Sequence, residues 1–188
     1  MIKRFMLTVV VTLIFSATAF GQSPSDFRFQ FENGEIHLTE YNGTETDVII
    51  FATTGIKYID AFAFTQGSTK ITSVVIPDTV TFIGESAFMG NELTNVILPN
   101  TITTIERLAF MSNKLTHITI PDSITSIGNF AFARNSIITI TAPSGFNFSG
   151  FEFGPEGRDF KKLYDENDKK AGTYTLNEDT STWSFTEK

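Results

Sequence analysis

The chain has 188 residues and a formal net charge of −7 at pH 7, with 14 basic and 21 acidic side chains. This acidic balance argues against nucleic acid or anionic lipid as a partner, because both select basic surfaces. The chain has no cysteine, which excludes disulfide bonds, cysteine nucleophiles and lipid attachment through an N-terminal cysteine.

Residues 1–21 have the pattern of a secretory signal peptide. A basic start, Lys3-Arg4, precedes an almost wholly apolar run. A membrane anchor, the rival interpretation, needs about 20 uninterrupted apolar residues, and this run is broken by hydroxyl residues at Thr8, Thr12, Ser16 and Thr18. We expect cleavage before Gln22, and the loss of both basic residues brings the mature charge to about −9. The mature chain is then secreted or held at the cell surface or outer envelope, with no transmembrane segment.

Residues 22–47 predict a β-hairpin that covers one end of the fold. Apolar residues alternate in Phe27–Phe31 and again in Ile36–Leu38, and Asn33-Gly34 stands between the two runs. An Asn-Gly pair between alternating runs is a strong signal for a tight hairpin turn.

Residues 48–145 repeat one pattern. The sequences ITSVVIP, LTNVILP, LTHITIP and IITITAP recur every 22 residues, and an Ala-Phe pair and an asparagine keep the same period. A fixed period of this length is typical of a solenoid of stacked units. We expect about five units, including a degenerate first one. The prolines that mark the period are Pro77, Pro99, Pro121 and Pro143.

Each unit predicts a strand, an irregular segment and a turn. The alternating, β-branched residues of L-x-x-V-x-I favour a short strand, which ends at proline because proline cannot donate a ladder hydrogen bond. The following I-x-x-I-x-x-x-A-F has spacings of three and four, which suit a turn of helix or an irregular bend. Asparagine then reverses the chain. Stacking places equivalent side chains in buried columns: Val74, Val96, Ile118 and Ile140; Ile76, Leu98, Ile120 and Ala142; Phe88, Phe110 and Phe132.

Residues 146–188 leave the repeat and predict a β-rich segment that caps the other end. A solenoid exposes an apolar layer at each end, and that layer has to be covered. We expect a charged turn around Asp165 to Gly172. The segment begins with a group of phenylalanines at Phe146, Phe148, Phe151 and Phe153.

Catalytic and metal-binding residues form no recognisable motif. Only His37 and His117 could serve as a histidine base, and neither stands in a nucleophile motif. The acidic run at Asp165 superficially suggests a calcium loop, but lysines stand where an EF-hand needs an oxygen donor and a glycine. We therefore predict that the chain is not an enzyme and has no catalytic residue, metal site or cofactor.

The strand side chains that alternate with the core positions form the candidate binding surface, which we call the strip. We expect the strip on the concave face, which curved solenoids use for binding. Its side chains are uncharged and include the apolar pair Val75 and Ile97, which suits a contact surface. Strand propensity alone accounts for such residues equally well, and that alternative stays open. The strip comprises Ser73, Val75, Asn95, Ile97, His117, Thr119, Thr139 and Thr141.

The repeat also has a residue pattern that a known family shares. One unit fills this pattern with Leu93, Val96, Leu98, Pro99, Ile102, Ile105, Ala109, Phe110 and Asn113. The pattern resembles the leucine-rich repeats of the BspA-like, or Treponema pallidum-type, class, although Glu106 replaces the usual glycine and Ile137 the leading leucine of the last unit. The resemblance covers residues 48–188. It implies a leucine-rich repeat solenoid with short parallel strands, in an exported bacterial protein associated with adhesion to host cells or extracellular matrix.

Two functions stay open for the strip. In the first, the chain is a protein-interaction module that adheres to a host or extracellular matrix protein. In the second, it is a structural surface protein that self-assembles through the strip or through the phenylalanine-rich tail. The predicted partner is therefore a protein, from the host or a second copy of this chain.

Overall fold

The computed structural model describes residues 22–51, 55–67, 69–155 and 157–187, so the predicted signal peptide lies outside the described residues. These residues form a solenoid of short parallel strands with an antiparallel hairpin at each end, as predicted. The described strands are β1 (Phe27–Glu32), β2 (Glu35–Tyr41), β3 (Asp47–Ile49), β4 (Ile56–Ile59), β5 (Ser73–Val75), β6 (Phe82–Ile83), β7 (Thr104–Ile105), β8 (His117–Thr119), β9 (Ser126–Ile127), β10 (Thr139–Ala142), β11 (Gly172–Asn177) and β12 (Thr182–Glu187). The described helices are a 3-10 turn at Pro24–Asp26 and an α-helix, α1 (Gly157–Glu166).

The predicted N-terminal hairpin is confirmed and begins a six-stranded sheet with the order β1-β2-β4-β6-β7-β9. Asn33 and Gly34 form its turn with φ angles of 52° and 87°. Both residues are in the left-handed region that a tight hairpin turn requires and that asparagine and glycine tolerate. β2 then pairs in parallel with β4, so the hairpin joins the solenoid by a backbone ladder.

The segments after Pro77, Pro99 and Pro121 form a second row of short strands followed by irregular turns, so of the two alternatives predicted for them the irregular bend is the one observed. β6, β7 and β9 are two-residue strands in parallel register, with Ile83 opposite Ile105 and Ile105 opposite Ile127. The two isoleucines of a unit are three residues apart because the first one ends a turn that begins at the proline. In this turn Ile102 N donates to Pro99 O at 3.1 Å. The second isoleucine, Ile105, lies on β7 and is fully buried in the core.

The predicted columns of buried side chains are confirmed, and the aromatic one runs the length of the solenoid. The rings of Phe88 and Phe110 stack at 5.1 Å with 5° between their planes, and those of Phe110 and Phe132 at 5.4 Å with 1°. Beneath the rings, Phe88 N donates to Ala109 O at 2.8 Å. Tyr41 and Phe64 extend the stack into the N-terminal cap and Phe153 extends it into the C-terminal segment.

The recurring asparagines form a hydrogen-bonded column, buried at Asn91 and Asn113 and half-buried at Asn135, which goes beyond the local turn predicted for them. The Asn113 Oδ1 atom accepts from Leu93 N at 3.0 Å, and its Nδ2 atom donates to Phe88 O at 2.9 Å and to Phe110 O at 3.0 Å. Asn91 and Asn135 repeat this arrangement one unit before and one unit after. Each amide therefore ties its own turn to the preceding one.

The C-terminal segment contains the predicted strands and, in addition, a helix that was not predicted. α1 buries Phe160 and Tyr164 against Tyr174 of β11, and this burial raises the pKa of Tyr174 to about 12. The predicted turn at Asp165 is the last turn of α1 and the bend after it. β11 pairs antiparallel with β10 and so continues the solenoid into the final hairpin, β11–β12. None of the described helices is long and apolar enough to cross a membrane.

We predict that Asn113→Ala lowers the free energy of unfolding by about 2–3 kcal/mol, because Leu93 N–H then lacks a partner in a buried position. Urea unfolding followed by circular dichroism measures this change. Asn135→Ala is the matched control: it removes the equivalent bonds, and one more to Ala133 O, from a half-buried position where water replaces them, and we expect a smaller loss. Equal losses would contradict the importance of burial at this column.

Candidate functional site

The structure places the strip residues on one side of the solenoid, outside the buried column that contains Val74 and Val96. Ser73 and Val75 lie on β5, His117 and Thr119 on β8, and Thr139 and Thr141 on β10. Their position follows from strand alternation, since the intervening residues of each strand are buried. The first six strip residues in chain order are exposed, whereas Thr139 and Thr141 are half-buried between β8 and β11, which pair with β10 on either side. A binding role for these residues stays a prediction.

The strip is interrupted at its centre, where a strand was predicted. Asn95–Leu98 are assigned to no strand, and no backbone hydrogen bond joins these four described residues to another residue. Burial of the Val96 and Leu98 side chains, rather than a backbone ladder, holds this row in place. Ile97 projects between them and is 76% exposed, against 56% for Val75. The centre of the strip therefore presents exposed apolar side chains on a row that side-chain burial holds in place.

The strip continues beyond the predicted residues at both ends. β3 pairs in parallel with β5 and places Asp47 beside Ser73 and Ile49 beside Val75. At the other end, Thr173 and Thr175 of β11 lie opposite Thr141 and Thr139. The alternation in the sequences DVI and TYTLN is the signal that could have predicted both extensions. The surface thus has an apolar part around Ile97 and a hydroxyl-rich part from β8 to β11.

Charged groups lie at the edge of the strip. Hydrogen bonds from the hydroxyls of Ser73 at 2.6 Å and Thr72 at 3.0 Å lower the pKa of Asp47. A hydrogen bond from Lys114 at 2.8 Å lowers the pKa of Glu92. Both carboxylates are bonded within the chain at the edge of the strip, and the exposed residues Val75, Asn95 and Ile97 at its centre carry no charge.

The two histidines are far apart in the fold and each has a local partner. The Nδ1 atom of His37 on β2 lies 2.8 Å from Asp60 Oδ1, and the ring of His37 stacks on that of Tyr58 at 4.3 Å. The Nδ1 atom of His117 lies 2.8 Å from the Thr116 hydroxyl. Within the described ranges, no group of three or more His, Asp or Glu side chains is arranged to hold a metal ion.

The phenylalanine-rich tail is mostly a core element. Phe148 and Phe153 are buried and make edge contacts with Phe160 of α1 at 5.1 and 5.4 Å. Phe151 is 41% exposed, and the Arg158 guanidinium lies 5.4 Å from the centre of its ring. The tail therefore offers less apolar contact surface than its composition suggests.

Comparison with known proteins identifies the repeat. The family model described as the BspA type leucine rich repeat region matches residues 35–153 in six copies. No curated protein matches the chain at a significant level.

Solved structures similar to this chain include three proteins with leucine-rich repeats. A leucine-rich repeat protein from T. pallidum has 15% identity and a TM-score of 0.46, over 63% of this chain and 70% of that one. One from Bacteroides ovatus has 21% identity and a TM-score of 0.42, over 64% of this chain and 41% of that one. A leucine rich cell surface protein from Faecalibacterium prausnitzii has 20% identity and a TM-score of 0.29, over 87% and 60%.

We predict faster amide hydrogen exchange at Asn95–Leu98 than at Thr139–Ala142. The first segment makes no backbone hydrogen bonds among the described residues, whereas β10 pairs with a strand on each side. Hydrogen exchange with peptide-level mass spectrometry measures both segments in one sample, so β10 is the internal control. Equal protection would show that the ladder is continuous through the strip.

Proposed function

The chain belongs to the BspA-type leucine-rich repeat family, and on that basis we propose that it is a protein-interaction module that binds its partner through the strip. The family match covers residues 35–153 and so includes all eight strip residues. We propose the domain organisation stated above for the mature chain: a hairpin cap at 22–47, the solenoid at 48–145 and a capping segment at 146–188.

The exposure of Val75 and Ile97 is the observation that carries this proposal. Both side chains stand at the same position of neighbouring units and are 56% and 76% exposed, while the residues on either side of each are buried. They are therefore not displaced core residues. Exposed apolar side chains in this arrangement gain about 25 cal/mol for each Å² that a partner covers, which favours a contact surface.

Polar side chains add a second component to the same surface. The side chains of Ser73, Asn95 and Thr119 are exposed beside the apolar pair and offer hydroxyl and amide groups to a partner. A protein supplies both apolar side chains and backbone hydrogen-bonding groups. Its surface can therefore match the apolar and the polar parts of the strip together.

We propose that the module acts outside the cell, in adhesion to a host or extracellular matrix protein. The signal-peptide pattern of residues 1–21 supports export. The mature chain carries about −9 net charge while the centre of the strip is uncharged, which supports a partner contacted mainly through neutral groups. A contact surface on so few units is small, so we expect binding by a single copy to be weak.

We predict that the pair Val75→Lys and Ile97→Lys reduces partner binding at least about tenfold, because two charges would be desolvated on contact. Binding of the chain from Gln22 onward to a panel of immobilised matrix and serum proteins measures this effect.

The matched control is the pair Thr103→Lys and Thr125→Lys, which adds the same charge at neighbouring units on the opposite strand row, where both residues are exposed. Loss of binding in the strip variant but not in this control supports adhesion. If the strip variant binds as well as the unmodified chain, the strip is not the contact surface. A drop in solution mass without any binding to the panel favours self-assembly through the strip.

A further inference from the structure

β1 is the outer strand of the six-stranded sheet, and its outer edge is open among the described residues. Five of its six residues are exposed, and these include Phe29 at 36% and Phe31 at 58%. Long, exposed edge strands with apolar side chains are prone to pair with another chain, and natural proteins usually blunt them with a bulge, proline or lysine. The register of β1 against β2 shifts between Arg28 and Phe29, but from Phe29 to Glu32 it is regular and the sequence contains no proline or lysine.

The peptide groups on this edge point outward at Phe29 and Phe31. In an antiparallel pair, hydrogen-bonded and non-hydrogen-bonded residue pairs alternate. Glu32 and Glu35 flank the two-residue turn and form the first hydrogen-bonded pair, and Gln30 with His37 forms the next. Phe29 and Phe31 therefore direct their N–H and C=O groups away from β2, toward the open edge.

We propose that β1 pairs antiparallel with β1 of a second copy of this chain, about a two-fold axis at Gln30. In this register Phe29 of each copy lies opposite Phe31 of the other, and their outward peptide groups meet. Arg28 of each copy lies opposite Glu32 of the other. The strand sequence RFQFE is thus complementary to its own reverse in both charge and aromatic character, as an interface between two identical patches requires.

Neighbouring registers lack this complementarity. A two-residue shift in one direction places Glu32 opposite Asp26, which sets like charges against each other. A shift in the other direction places Arg28 opposite Gly34 and leaves its charge unpaired. Parallel, in-register pairing would place Arg28 of one chain beside Arg28 of the other, so that like charges meet. The charges therefore select the register centred on Gln30.

The charges of the single hairpin also favour this partner. Glu32 lies directly opposite Glu35 across the hairpin, and like charges in that position are destabilising. Arg28 lies 2.7 Å from Glu40, and its side chain is still 70% exposed. In the proposed dimer, Arg28 of one copy lies near Glu32 of the other copy and retains its ion pair with Glu40 of its own chain.

Charge-swap variants test the register. We expect the chain from Gln22 onward to show a concentration-dependent dimer in analytical ultracentrifugation. The dimer contains two pairs of residues 28 and 32, one from each combination of the two copies. Arg28→Glu and Glu32→Arg each place like charges in both pairs, so each should weaken the dimer at least about tenfold. An equimolar mixture of the two variants restores opposite charges at both positions, so it should dimerise again. Lys162→Glu, an equal charge reversal at an exposed residue of α1, should leave the dimer unchanged.

A single cysteine tests the two-fold axis directly, because the chain has no other thiol. Non-hydrogen-bonded antiparallel pairs have Cα atoms about 4.5 Å apart, within the range that a disulfide spans. Gln30→Cys should therefore give a covalent dimer under mild oxidation. Ser184→Cys on β12, the exposed edge at the other end, is the collision control. Solutions that stay monomeric at every concentration, or a dimer that neither charge variant affects, would overturn the proposal.

Discussion

The buried asparagine column is the interaction on which the stacking of this solenoid depends. Phe88 O accepts from both Asn91 and Asn113, and Phe110 O accepts from both Asn113 and Asn135. The three amides are therefore linked through shared carbonyls into one continuous network. The strands around them are only two to four residues long within the repeats, and such strands leave many irregular peptide groups to satisfy. One amide in each unit satisfies these groups and sets the register of the next unit.

The repeated environment explains what could be predicted from the sequence. Each buried position recurs every 22 residues in an equivalent setting, so the columns that contain Phe110 and Ile118 are visible without any structure. The second strand row was not predicted because Ile102 and Ile105 have the spacing of a helix, although the two residues between them lead from a turn into a strand. α1 was missed for a different reason: Phe160, Leu163 and Tyr164 do have helical spacing, but the surrounding composition resembled a β-hairpin.

The candidate site was predictable only in part, because alternation shows which side a residue faces and not whether its strand is paired. Val75 and Ile97 have the same alternation, yet β5 joins a ladder and Asn95–Leu98 does not. Ladder formation depends on the spacing between whole units, which alternation within one unit does not show. The same limitation hid the role of β11, which pairs with β10 and extends the strip beyond the predicted residues.

The two proposed contact surfaces are compatible because they belong to different sheets. β1 is the outer strand of the six-stranded sheet, whereas the strip lies along β5, β8 and β10. Pairing of two chains through β1 would therefore leave both strips open. A second strip on the same particle binds at the effective concentration set by the first, and this can raise the overall affinity about 10²–10⁴-fold without any new contact. On the proposed function, a strip of few units that binds weakly as a single copy would in this way hold a partner immobilised at high density.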